Sequence, residues 1–86
     1  MKKEVKTFTF KVEVMLRNEV LDPQGEVIKQ TIKNNGLNNI LNVKQGKIFE
    51  VKISSTDLEE AKKDIERACI DILANPVIEK YKILEA

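Results

Sequence analysis

From Thr7 to Arg17 apolar and polar side chains alternate over eleven residues, Met15 being the one apolar residue on the polar side. Phe8, Phe10, Val12, Val14 and Leu16 point one way, and Thr7, Thr9, Lys11, Glu13, Met15 and Arg17 the other. A period of two over that length predicts one long strand with a single buried face. This strand organises every reading of the chain that follows.

After it, Asp22-Pro23 reads as a helix start. The Asp carboxylate can accept from backbone N–H groups that the first turn leaves free, and Pro is tolerated at the first helical position. Val27, Ile28 and Ile32 supply an apolar stripe at helical spacing, and Gly36, after Asn34-Asn35, is available for a left-handed C-cap. Ile40–Gln45 and Lys47–Ile53 read as two short strands of a hairpin, with Gly46 permitting the positive φ of a tight turn. Thr56-Asp57-Leu58-Glu59 reads as a capping box. Behind it Leu58, Ala61, Ile65, Ala68 and Ile72 repeat at three and four, widened by Cys69 and Leu73. Glu59–Lys63, Lys62–Glu66 and Arg67–Asp71 are spaced to pair on the outer face. Pro76 ends this helix by about Asn75, and Val77–Leu84 makes a last short strand.

The order strand, helix, strand, strand, helix, strand predicts an α+β fold. It is a ferredoxin-like βαββαβ sandwich, with right-handed crossovers and two helices on one face of a four-stranded sheet. The chain of 86 residues (1–86) is read as a single domain. On the sheet's other face fall Met15, Ile40, Ile48, Ile78 and Leu84, interleaved with Lys11, Glu13, Lys44, Glu50, Lys52, Lys80 and Lys82. A helix-free face carrying large apolar side chains suggests a protein interface, and a domain this small gains from self-association.

Composition excludes several chemistries. The chain has no His, so neither a Ser-His nor a Cys-His nucleophile pair nor a His metal ligand can be assembled. A lone Cys allows no intramolecular disulfide and no Cys cluster for a metal. The glycines at 25, 36 and 46 are too far apart for a dinucleotide fingerprint or a phosphate-cradling loop. A net charge of +1 argues against nucleic acid, and no window approaches the roughly 18 apolar residues of a membrane span. The opening Met1-Lys2-Lys3-Glu4-Val5-Lys6 does not read as a secretory signal, and the expected location is the cytoplasm.

The remaining candidates have bland readings. Glu13 and Glu50 fit a cross-strand charge ladder better than a paired acid/base site. Cys69, beside the apolar stripe of the second helix, reads as a small buried thiol. Two segments are less well explained by folding alone. Leu21-Asp22-Pro23-Gln24-Gly25 puts a Gly inside the first turn of a helix, where it costs roughly 0.5–1 kcal/mol relative to Ala, as if another backbone had to come close. Leu73-Ala74-Asn75-Pro76-Val77-Ile78-Glu79-Lys80-Tyr81 gathers a helix stop, a polar amide and the chain's only Tyr.

Those segments carry a family resemblance. Val20-Leu21-Asp22-Pro23-Gln24-Gly25, Val43-Lys44-Gln45-Gly46-Lys47 and Leu73-Ala74-Asn75-Pro76-Val77-Ile78-Glu79, with Tyr81, resemble the signatures of the PurS family, small subunits of phosphoribosylformylglycinamidine synthase. The resemblance runs from about Phe8 to Ile83. Lys44 stands where an Arg is common and lacks its planar fork. Lys80 and Asn18-Glu19 are the other departures. The resemblance implies a non-catalytic scaffold subunit in purine biosynthesis, with no cofactor of its own. ATP and magnesium would be used by the large synthetase subunit (PurL), and ammonia released by a glutaminase subunit (PurQ). The small subunit would bridge the two as a homodimer or tetramer that oligomerises through the sheet, and would assist ammonia transfer. Asp22, Pro23, Gln24, Gly25, Lys47, Asn75, Pro76, Glu79 and Tyr81 are then the expected subunit contacts, with no catalytic or metal-binding residue.

Two other readings fit parts of the chain. A small-molecule-binding regulatory module of the amino-acid-sensing kind would use Asp22 and Gly25 at the helix start. A single-stranded RNA binder would stack bases on sheet aromatics, but Phe8, Phe10 and Phe49 share parity with the core.

Overall fold

The computed structural model describes residues 4–85; the charged opening at residues 1–3 lies outside them. The alternating segment forms β1 (Lys6–Leu16), followed by α1 (Pro23–Asn34), β2 (Gly46–Ser55), α2 (Leu58–Ala68) and β3 (Glu79–Glu85). The sheet is antiparallel, in the order β2-β1-β3, with the long strand at its centre. Phe10, Val12 and Val14 are buried against Ala61, Ile65 and Cys69 of the second helical segment, with Phe49, Val51, Ile53 and Ile83 packed alongside. One row of β1 and one stripe of α2 therefore make the core, as their periodicities require.

The four-stranded expectation is corrected. Three strands form among the described residues, and Ile40–Gln45 runs beside the start of α1 without joining any ladder. What remains is the ferredoxin-like order with its outer strand missing, so β2 has a free edge. Gly46 opens β2 instead of turning a hairpin, and among the described residues only Gly36 has a positive φ. Asn42 within that stretch, and Asn38 and Asn39 just before it, have weak strand propensity. The chain also ties it to α1, as described below.

The expectation of two helices on one face is corrected as well. α2 alone packs on the sheet, and α1 makes no substantial packing with any strand or with α2. Val27 and Ile28 of its stripe are 66% and 38% exposed, and Gly25 is its only buried residue. Three apolar residues cannot cover a sheet, and α1 projects from it. The molecule extends 64 × 26 × 14 Å with a radius of gyration of 17.7 Å, against about 12 Å for a compact chain of this length.

Helix ends follow local chemistry with one shift. At the end of α1, Gly36 at φ +92° allows Leu37 N–H to reach Ile32 O at 3.3 Å and Gly36 N–H to reach Lys33 O at 3.0 Å, a Schellman closure. At the start of α2 the cap is Asp57, whose carboxylate accepts from Glu60 N–H at 2.8 Å, so the expected Thr56 capping box is not made. The helix begins one residue later than that box requires. Of the expected ion pairs Arg67–Asp71 forms at 3.3 Å, while Lys62 reaches across to Glu85 at 3.2 Å and Lys63 pairs with Glu60 at 3.8 Å.

Beyond Ala68 the helix widens into a π turn over Cys69–Leu73, closed by Ala74 N–H on Cys69 O at 3.0 Å. The wider turn rotates the residues after it. Ile72, expected on the core stripe, is 80% exposed, and Ala74 takes a buried place instead. Burial, with Glu66 adding to it, pushes the Cys69 thiol above its ordinary pKa, in keeping with a core residue.

Candidate functional site

The expected contact residues other than Tyr81 gather at one end of the sheet, where Leu16, the start of α1, the start of β2 and the turn before β3 meet. Asp22 is the join. Its Oδ1 accepts from Gly25 N–H at 2.9 Å, capping α1, and its Oδ2 accepts from Gln45 N–H at 2.8 Å, holding the residue that leads into β2. Those bonds, first to Gln45 and then to Gly25, hold the carboxyl below its ordinary pKa of 3.8, because each stabilises the charged form. Lys44 adds a hydrogen bond to Asn18 across the same junction.

Gly25 has the close backbone neighbour that its place in a helix suggested. A Cβ there would lie 2.3 Å from the Val43 carbonyl oxygen, a distance no side chain tolerates. Gly46 is similarly constrained, by the Met15 sulfur and the Val14 carbonyl.

The turn from Asn75 to Glu79 closes on itself. Asn75 N–H donates to Glu79 Oε1 at 2.7 Å, Val77 N–H to Asn75 Oδ1 at 3.1 Å, and Ile78 and Glu79 N–H both donate to Asn75 O. Its other clamp is Arg17, which in the sequence alone is one more polar residue of the alternating strand. Arg17 sends Nε and an Nη to the Pro76 carbonyl at 3.2 and 2.8 Å, and its own N–H to Ile78 O at 2.8 Å. The signal available in sequence was an Arg ending a strand that must pair with the segment after Pro76. Glu79 also faces Lys47 at 3.9 Å, which joins this turn to β2.

An open cleft of about 430 Å³ results, with Val14 and Leu16 as floor and Asp22, Pro23, Gln24, Lys47 and Glu79 among its walls. Gly25 lies beside it through its bond to Asp22, and Asn75 and Pro76 stand behind it through Glu79 and Arg17. Tyr81 stays apart: it lies opposite Val14 on β3 and does not line the cleft. The helix start that a ligand-binding module would use is already filled by the chain's own carboxylate. In the register Glu50 stands opposite Lys11, and Glu13 between Ile48 and Lys82, an alternation of charges with no facing carboxylates. Phe10, Phe8 and Phe49 lie on the core side, so the open face offers no platform for bases.

Comparison with known proteins bears on the same segments. Residues 9–85 match the family PurS, phosphoribosylformylglycinamidine (FGAM) synthase. The subunit PurS of Mycobacterium leprae is 45% identical over 74 residues, covering 84% of this chain and 87% of that protein. The crystal structure of the purS subunit of Thermotoga maritima superimposes with a TM-score of 0.89 at 28% identity, covering 96% of this chain and 95% of that one. A chain in the structure of PurLQS from the same organism superimposes at 0.88 and 28% identity, covering 94% and 99% respectively. With the Asp22-to-Gly25 cap and the Asn75-to-Glu79 turn formed in a chain whose residues 9–85 match the family, this protein belongs to the PurS family of phosphoribosylformylglycinamidine synthase subunits.

Proposed function

We propose that this chain is the non-catalytic scaffold subunit of a phosphoribosylformylglycinamidine synthase complex in de novo purine biosynthesis. It bridges a PurL synthetase subunit and a PurQ glutaminase subunit in the cytoplasm and assists the passage of ammonia between them. The observation that carries this reading is the near-complete superposition on a chain of the Thermotoga maritima PurLQS structure. The absence of His from the sequence supports it, since the acid/base groups of the reaction then reside in the partners, as do ATP and magnesium.

The same reading includes self-association, as a dimer or tetramer. The support is physical: α1 projects with Val27 and Ile28 uncovered, and β2 has an unpaired edge. A second copy that lays its own elements against both would cover an apolar stripe and complete a ladder. Asp22, Pro23, Gln24, Gly25, Lys47, Asn75, Pro76, Glu79 and Tyr81 belong to the contact region in this proposal.

Deleting the gene tests the role. Loss of growth without purines, restored by the wild-type gene, is the expected result; undiminished growth in a strain with no duplicate gene refutes it. Gel filtration with both larger subunits, glutamine and Mg-ADP provides the direct test, and failure to co-elute counts against bridging.

A further inference from the structure

The strand register lays out the open face of the sheet, the side away from α2. Lys11 stands between Leu84 and Glu50, Glu13 between Lys82 and Ile48, and Met15 between Lys80 and Gly46, with Thr9 opposite Lys52. Ile48 is 62% exposed, and Met15 lies directly over Gly46, which has no side chain to share the space. Four lysines thus face two glutamates around a small apolar centre, on a chain whose net charge is only +1. Among the described residues none of the six belongs to an ion pair within 4.0 Å; the pairs that form lie on the helices, between α2 and the end of β3, and at the cleft. Glu50 stands opposite Lys11 and Glu13 opposite Lys82, while Lys52 and Lys80 face Thr9 and Met15, so the face keeps an excess of two positive charges.

That charge decides among occupants. A second copy docked face to face brings four lysines against four, with too few glutamates to neutralise them, and like charges across an interface oppose association. RNA would meet the lysines but finds no aromatic platform, because the three Phe and Tyr81 belong to the opposite parity, and it would also meet Glu13 and Glu50. A different protein that sets carboxylates around an apolar centre satisfies both components.

We infer that the open sheet face is the docking surface for such an acidic partner. Met15 and Ile48 form its apolar contact, and Lys11, Lys52, Lys80 and Lys82 its rim. The inference rests on the subunit reading above and adds which face meets a larger subunit and by what chemistry. Self-association then uses α1 and the β2 edge, which leaves this face free.

The test compares the wild-type chain with Lys11→Glu/Lys82→Glu, each titrated with the synthetase and glutaminase subunits at about 0.05 M and 0.5 M salt. The wild type should weaken at high salt. The variant should bind at least one subunit about tenfold or more weakly at low salt, with its salt dependence flattened. Its homo-oligomer mass by light scattering should match wild type, while its melting temperature should fall, because each reversal sets like charges opposite Glu50 or Glu13. Lys11→Gln/Lys82→Gln, which removes charge without reversing it, should show a smaller loss in the same direction, and it stands in should the reversal fail to fold. Unchanged binding by the variant overturns the inference. So does dissociation of the homo-oligomer, which makes the face a self-contact, or wild-type binding to poly(U) that the variant loses. A wild-type chain that binds neither subunit refutes the subunit reading itself, and this inference with it.

Discussion

The carboxylate of Asp22 accepts from the backbone of Gln45, twenty-three residues further along the chain, at 2.8 Å. The same side chain caps α1 through Gly25 at 2.9 Å, so one residue both starts a helix and fixes the approach to β2. Since α1 has no packed face to hold it, this bridge and the Gly25–Val43 approach set its direction.

Asp22→Ala should therefore lower the melting temperature more than Asp57→Ala. The second substitution removes a cap that makes one bond, to Glu60, on a helix already held by the core. Differential scanning calorimetry of both variants measures the contrast, and equal losses would show that the Gln45 bond contributes nothing.

The pH dependence of that contrast follows from the lowered pKa of Asp22. A group whose folded pKa lies below its unfolded value stabilises the protein above the unfolded value. It loses that contribution as pH falls through the folded one. The difference in stability between wild type and Asp22→Asn should thus be fully present at neutral pH and shrink below about pH 4. Urea midpoints across an acid titration read it; a difference that grew on acidification would contradict the assignment.

Gly25→Ala separates two opposing effects. Helix propensity alone would make Ala stabilising by roughly 0.5–1 kcal/mol. The Val43 carbonyl, 2.3 Å from the new Cβ, should reverse the sign and destabilise by about 1–3 kcal/mol, as overpacking usually does. Chemical denaturation gives the sign directly.

Arg17→Lys keeps the charge but cannot send two N–H groups to the Pro76 carbonyl as Arg17 does at 3.2 and 2.8 Å. A loss of about 1 kcal/mol and faster proteolytic cleavage within Asn75–Ile78 are expected. Cleavage at the wild-type rate would show that the turn is held by Asn75 and Glu79 alone.

Much of this architecture is legible in the residues. The alternation from Phe8 to Leu16 dictates the central strand, because a half-buried strand has no other period. The caps of α1 are equally local: Asp22, Pro23 and Gly36 act on backbone groups within a turn of themselves. The short segments around Asp22, Lys47 and Asn75 were legible as belonging together only through the family they resemble. Their physical reason for meeting, one end of one sheet, is a matter of register.

Tertiary structure decided the rest. Ile40–Gln45 has some alternation, but strand formation needs a neighbour's backbone, and Asp22 and Gly25 hold this stretch to α1 instead. The stripe of α1 signals burial without naming what buries it, and among the described residues no strand and no second helix packs substantially on it. A single extra residue in the π turn moves Ile72 from core to surface, a change that periodicity cannot register. Arg17 acquires its role only when β3 brings Pro76 beside it. Sequence alone determines interactions that close within a turn or repeat with a period; contacts between distant segments depend on competing backbone partners, and only the folded chain resolves that competition.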